Sequence, residues 1–154
     1  MMETRSNQLM LPALLLALLA GLLLPLQAGI NSHLRSSLGH PLVATLVSFL
    51  VGTVAIAALM LGLRVSIPAA GFRTGPWWNW TGGILGAVYV LVTVVVAPRL
   101  GAATMIATII AGQMLASLLL DHYGVAGYAP HSVNAWRIAG ALLIIAGVVL
   151  IQRN

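Results

Sequence analysis

Residues 9–24 read LMLPALLLALLAGLLL, a run without a single charged or hydrogen-bonding side chain. A helix that crosses the hydrocarbon core of a bilayer needs about 20 predominantly apolar residues, and this run with its flanks supplies them. The whole chain shares the property, since 60% of its 154 residues are hydrophobic and 6% are charged. Soluble domains carry about 25% charged residues. The sequence therefore predicts an all-α integral membrane protein.

Four more apolar stretches of similar length follow, separated by proline- and glycine-containing breaks. The break over 66–76 reads SIPAAGFRTGP, and that over 97–101 reads APRLG, which predicts a tight reversal. A cleaved signal peptide is not favoured for the first stretch, because Leu26 fits poorly three positions before a cut after Ala28. We predict one transmembrane domain, residues 1–154, built as a five-helix bundle with spans at about 8–28, 41–63, 78–97, 101–120 and 134–152.

The basic residues are seven scattered arginines, without lysine and without a cluster, which is unlike the basic patch of a nucleic-acid-binding protein. Five spans place the termini on opposite sides of the membrane, where four arginines face three. Orientation follows the Lys/Arg bias, so this near balance favours insertion both ways and antiparallel pairing of two copies. A single orientation fixed by a partner or by the first helix is the alternative. The two groups are Arg5, Arg64, Arg73 and Arg137 against Arg35, Arg99 and Arg153.

Polar side chains cluster where the first span ends. Gln27 and Asn31 are four residues apart, on one face of a helix, and each amide both donates and accepts hydrogen bonds. Pro25 loosens the helix just before them. We expect the two amides to line a polar vestibule leading into the bundle; the alternative is that they cap a helix end at the headgroup level.

Further candidates lie inside the later spans. Gln113 sits in the middle of the fourth span, where polar side chains usually face the bundle interior. Thr108 lies on nearly the same stripe, although threonine hydroxyls often bond their own helix. Tyr89 and Thr93, four apart in the third span, also fit a substrate cavity. The alternatives are an interhelical hydrogen bond for Gln113 and a packed aromatic with a satisfied hydroxyl for Tyr89.

The chain has two acidic residues, Glu3 near the N-terminus and Asp121 at the end of the fourth span. We interpret Asp121 as an interfacial anchor that pairs with an arginine, and a proton relay with His122 is the alternative. The histidines fall in connections and lack metal-ligand spacing, and cysteine is absent. No arrangement typical of a soluble enzyme occurs, so we expect no catalytic residues, no metal and no cofactor.

Three segments together resemble the YdcZ-type family of the drug/metabolite transporter superfamily. They include NSHLRSSLG at 31–39, WWNWTGGILGAVYV at 77–90 and APRLGAAT at 97–104, continued by the GQ of 112–113 and LLLDH at 118–122. The resemblance implies five spans and small members that work as dimers. It also implies a distant similarity to small multidrug resistance transporters, which bind substrate or protons at a glutamate within the first helix. The first span here has no such glutamate.

Small relatives pair through their last helix, so the resemblance makes the face of Gly140 and Gly147 the predicted dimer interface. The implied function is a bacterial inner-membrane, multi-pass transporter that moves a small or amphiphilic solute by alternating access across an antiparallel homodimer surrounded by lipid. Without a buried carboxylate, a neutral, zwitterionic or amphiphilic substrate is expected rather than an obligatory cation. A lipid flippase or scramblase and a non-transporting partner subunit are the alternatives.

Overall fold

The computed structural model describes residues 2–68 and 76–153, with side chains described from residue 10 onward. Within these ranges the protein is helical and contains no strand. The helices are α1 (Met2–Leu38), α2 (Pro41–Gly62), a short 3-10 helix (Trp77–Trp80), α3 (Thr81–Tyr123) and α4 (Ala135–Arg153). Each of the four α-helical segments is long and apolar enough to cross a membrane. The prediction of an all-α membrane protein is thereby confirmed.

The predicted count of five separate helices is not confirmed, since the described residues hold four membrane-length helical segments. The spans predicted at 78–97 and 101–120 fall within α3, a segment of 43 residues. Its backbone leaves the helical region only at Gly101 (φ 72°, ψ 166°), three residues after Pro98. Glycine tolerates this positive φ, and proline cannot donate to the helix ladder, so the sequence correctly marks the break but overestimates its length. We refer below to the N-terminal half (81–100) and the C-terminal half (102–123) of α3.

Helix α1 also departs from its predicted end at residue 28. It continues to Leu38, and Pro25 lies inside it. The polar residues beyond 28 are helical, and two serine hydroxyls among them bond the preceding turn: Ser36 Oγ donates to the Ser32 carbonyl (3.3 Å) and Ser37 Oγ to the His33 carbonyl (3.4 Å). The helix ends at Gly39, whose left-handed backbone (φ 77°) lets its N–H bond the Arg35 carbonyl at 2.9 Å.

Helix α2 begins immediately afterwards, because the sequence supplies both parts of a helix start. His40 is extended and its Nδ1 accepts a hydrogen bond from the Leu42 N–H at 3.2 Å. Pro41 occupies the first helical position, where its missing N–H costs nothing. Only two residues therefore separate the end of α1 from the start of α2, which leaves the two helices as chain neighbours.

The chain divides into two compact units, Met1–Pro98 and Arg99–Asn154. The N-terminal unit has a small core of Ala44, Val90 and Val94, against which Leu34 and Tyr89 pack. This core joins α1, α2 and the N-terminal half of α3. The outward leucines of α1 and α2 are mostly exposed, as expected for side chains that contact lipid or a partner helix.

In the C-terminal unit, an ion pair fixes the connection between α3 and α4. Arg137 Nη2 bonds the Asp121 carboxylate, and its Nη1 donates to the His131 carbonyl at 2.9 Å. The His131 N–H in turn donates to the Asp121 carbonyl at 2.7 Å. The side chains of Asp121 and Arg137 are 23% and 32% exposed. The prediction that Asp121 pairs with an arginine is confirmed.

Candidate functional site

The two amides predicted to line a vestibule lie on α1 more than one turn before its end. Asn31 is 4% exposed, whereas Gln27 is exposed on the same helix. Because α1 runs on to Leu38, the alternative that these residues cap a helix end is wrong. Asn31 Nδ2 is buried and has no hydrogen-bond partner among the described residues. This side chain is therefore placed inside the N-terminal unit with a donor left unused.

Tyr89 and Thr93 lie one turn apart on the N-terminal half of α3. Thr93 is buried, and its hydroxyl is satisfied by the Val90 carbonyl at 2.8 Å. The hydroxyl of Tyr89 is buried as well, but no described group bonds it. No described protein group therefore satisfies the Tyr89 hydroxyl, and the Thr93 hydroxyl has already used its donor.

The two buried polar groups without partners, Asn31 Nδ2 and the Tyr89 hydroxyl, carry a desolvation cost. A buried donor without a partner costs about 1–3 kcal/mol, and native proteins tolerate few of them. Asn31 and Tyr89 carry two such groups within one small unit. Both can be satisfied by water or by a polar ligand that enters between the helices. Their burial without partners is the strongest local indication of a binding site in the N-terminal unit.

A groove of about 220 Å³ lies among α1, α2 and the N-terminal half of α3. Its lining is mixed, with amide and hydroxyl groups beside an aromatic ring and aliphatic side chains. Gly52 contributes no side chain, and a Cβ added there would meet no atom within 4 Å. Small-molecule sites combine such apolar walls with a few polar groups. The lining residues are Gln27, Ser48, Phe49, Gly52, Thr53, Ile56 and Val90.

The family comparison agrees with this architecture. Residues 12–150 match the model of a family described as "Putative inner membrane exporter, YdcZ". The chain belongs to the YdcZ family. It is accordingly a multi-pass protein of the inner membrane, with four membrane-length helices in its described residues.

One curated relative in the YdcZ family is Inner membrane protein YdcZ of Escherichia coli (strain K12). It is 32% identical over 117 residues, which cover 73% of this chain and 76% of the relative. No solved structure is significantly similar to the chain.

Two of the candidate cavity residues of this YdcZ-family chain lie in its C-terminal unit. Gln113 is exposed on the C-terminal half of α3. Thr108 is exposed too, and its hydroxyl donates to the Thr104 carbonyl at 2.8 Å, so its donor is already used. Substrate contact by either residue stays a prediction, and both side chains are free to face a second copy or lipid.

The predicted dimer interface of the YdcZ-family chain also lies in the C-terminal unit. A Cβ added at Gly140 or Gly147 would meet no atom within 4 Å. Gly140 additionally lines an apolar groove of about 330 Å³ between the C-terminal half of α3 and α4. The two glycines are thus not used for packing within the chain, and their role in a dimer stays a prediction.

The sequence patterns did not single out Phe49, Thr53 and Ile56, which line the groove, or the contact of Arg35. Thr53 lines the groove, five residues after Ser48 and next to Gly52. The sequence predicts Arg35 only as a topology determinant. In the structure its Nη1 donates a hydrogen bond to the Val94 carbonyl at 3.3 Å. The available signal was its spacing, since Arg35 lies four residues after Asn31 on the same face of α1. Within residues 10–68 and 76–153, no group of three His, Asp or Glu side chains is placed to hold a metal ion.

Proposed function

We propose that this chain is an exporter that carries a small or amphiphilic solute across the inner membrane by alternating access. The family description supports export, and the buried, unpartnered Nδ2 of Asn31 is the observation that carries the choice of site. Gln27, Phe49 and Ile56 line the groove and would contact the solute there. Asn31 and Tyr89 lie outside that lining, and each would bond a polar part of the solute that enters between the helices. Such a carrier is not an enzyme, and none of these residues needs to change its covalent state.

The charges of the chain limit the class of solute. No Asp or Glu occurs between residues 4 and 120, so the groove has no carboxylate to attract a cation. A buried cation without a partner carries a large desolvation cost. Amide and hydroxyl groups instead suit neutral, zwitterionic or amphiphilic solutes that accept hydrogen bonds.

The length of α3 supports five crossings of the membrane. At about 1.5 Å per residue, its 43 residues would extend about 65 Å, roughly twice the hydrocarbon thickness of about 30 Å. One straight crossing would leave apolar residues in water. Two crossings with Gly101 between them match the apolar halves on either side.

Five crossings put the termini on opposite sides, and the four-to-three arginine balance then supports dual topology. Two copies inserted antiparallel form an inverted repeat, the arrangement by which many transporters alternate access. Gly140 and Gly147 would allow close approach of the two α4 helices. The chain lacks cysteine, so Gln152→Cys gives a single reporter for an impermeant thiol reagent. Labelling of about half the molecules from outside intact cells is expected; labelling from one side only would contradict dual topology.

The test of export uses cells that overproduce the chain and are loaded with N-phenylnaphthylamine, a neutral apolar fluorescent dye. The wild type is expected to lower dye accumulation, and Asn31→Ala to restore it to the level of empty cells. The matched control is Asn79→Ala, the same exchange at an exposed residue of the 3-10 helix. Equal accumulation with the wild type and Asn31→Ala would remove Asn31 from the site.

A lipid flippase or scramblase is the second candidate, favoured by the mixed polar and apolar lining of the groove. An acyl chain could lie along Phe49 and Ile56 with its headgroup at Gln27. Liposomes containing the purified chain and a headgroup-labelled lipid separate the two functions. Lipid movement that depends on Asn31, without dye export, would favour lipid transport. Activity in neither assay, together with copurification of an unrelated membrane protein, would favour a partner subunit.

A further inference from the structure

Arg35 lines a polar pocket at the end of α1 that the proposed solute site does not include. Its guanidinium is part-buried and donates one N–H, from Nη1, to the Val94 carbonyl at 3.3 Å. The pocket has a volume of about 380 Å³ and is lined by Arg35, Ser36, Gly39 and Pro98. A guanidinium has five N–H donors, so most of its hydrogen-bonding capacity is left for another group.

Among the described side chains, no carboxylate pairs with Arg35. The chain has two acidic residues, and one of them, Asp121, is bonded by Arg137. The other, Glu3, precedes Arg35 by 32 residues in the sequence. The positive charge of Arg35 therefore has no described carboxylate to pair with, although its side chain is only partly accessible to water.

Two helix ends lie near the pocket at Arg35, and their dipoles have opposite effects on a bound anion. The negative end of the α1 dipole lies at Arg35, and the positive end of the α2 dipole begins two residues after α1 ends. These two terms oppose each other. The first turn of α2 carries no acidic residue, and the Gly39 N–H already satisfies the Arg35 carbonyl. The guanidinium of Arg35 consequently determines that the electrostatic potential in the pocket is positive.

We propose that the pocket at Arg35 binds an anionic oxygen group, either a phosphate or a carboxylate. A planar guanidinium pairs with both groups through two parallel N–H···O bonds, which an ammonium cannot do. The anion can come from the headgroup of an anionic phospholipid at the membrane surface or from a free anion in the adjacent water. The site goes beyond the proposed export function, because it binds its ligand whether or not the chain transports a solute.

The lipid source is tested by native mass spectrometry of the purified full chain. The chain is offered equal amounts of phosphatidylglycerol and phosphatidylcholine with identical acyl chains. We expect the wild type to retain phosphatidylglycerol preferentially and Arg35→Gln to lose that preference by about tenfold, a change of about 1.4 kcal/mol in binding free energy. Arg64→Gln is the matched control, since Arg64 is exposed at the other end of α2 and lines none of the pockets described above.

The free-anion source is tested by thermal unfolding in a neutral detergent, with inorganic phosphate added at constant ionic strength. If phosphate raises the Tm of the wild type and Arg64→Gln but not of Arg35→Gln, the pocket binds a free anion. If only phosphatidylglycerol distinguishes them, the ligand is a headgroup. Should Arg35→Gln not fold, Arg35→Lys replaces it, because it keeps the charge and loses the two-bond geometry. A wild type indifferent to both probes, or an Arg35 variant with unchanged binding, would overturn the proposal.

Discussion

Replacing Asn31 by leucine should make the protein more stable and less active. Leucine keeps the branching of the asparagine side chain but removes its polar atoms, including the buried Nδ2 that no described group bonds. Removing an unsatisfied buried donor recovers part of its desolvation cost of about 1–3 kcal/mol. The lower end applies in a membrane, because polar groups of separated helices also find partners there and interhelical hydrogen bonds average only about 0.6 kcal/mol. We therefore expect a gain of about 1 kcal/mol.

For a chain of this length, about 1 kcal/mol corresponds to roughly 2–4 °C in Tm. The measurement is thermal unfolding in detergent without added ligand, followed by the dye-export assay on the same variant. Asn79→Leu is the control and should leave both readings unchanged, because Asn79 is exposed. A lower Tm together with intact export would refute the reasoning, since it would mean that Asn31 is satisfied in the folded protein and serves packing alone.

Three further changes test other parts of the structure. Asp121→Asn removes the ion pair with Arg137. A double-mutant cycle of these two residues, measured by thermal unfolding, should give a coupling free energy of about 0.5–3 kcal/mol. Additive effects would mean that the pair does not stabilise the α3–α4 connection. Gly147→Ile should reduce dimer formation in a cross-linking assay, because the added side chain meets no atom of its own chain and would collide only with a partner. Gly29→Ile is the control and should leave dimer formation unchanged. Equal effects of the two changes would place the interface elsewhere. Leu100→Cys should react with an aqueous thiol reagent if α3 crosses twice, whereas protection from the reagent would indicate a single crossing.

Hydropathy predicts a helix boundary well where a residue that starts or ends a helix, such as proline or glycine, lies at the end of the apolar run. The span predicted at 41–63 is observed as Pro41–Gly62, since Pro41 fixes its start, and that at 134–152 is observed as Ala135–Arg153. The prediction failed at α1 because hydropathy falls at residue 28, whereas the helix persists until a glycine can end it at residue 39. Polarity determines where a helix leaves the membrane, but backbone hydrogen bonding determines where it stops.

The candidate site could be anticipated only in its local geometry. The spacing of Gln27 and Asn31 follows from one helix, and so does the spacing of Tyr89 and Thr93. Whether each side chain is buried or bonded depends on the contact of α1 and α2 with α3, which no local pattern encodes. The Thr93 hydroxyl donates to the Val90 carbonyl of its own helix, whereas the Tyr89 hydroxyl has no described partner. Gln113 is exposed on the C-terminal half of α3, and its contact with a substrate stays a prediction.

Three polar side chains of α1 lie along one face of the helix. Gln27, Asn31 and Arg35 follow one another at intervals of four residues and form an inclined stripe from the groove toward the pocket at the helix end. A carboxylate on such a stripe would attract cations, but this stripe carries amides and a guanidinium, and no acid lies between residues 4 and 120. Asn31 Nδ2 and most of the Arg35 N–H donors have no described partner. We expect a ligand whose polar end accepts hydrogen bonds to gain from these donors, whereas a cation would find no carboxylate on this stripe to offset its lost hydration.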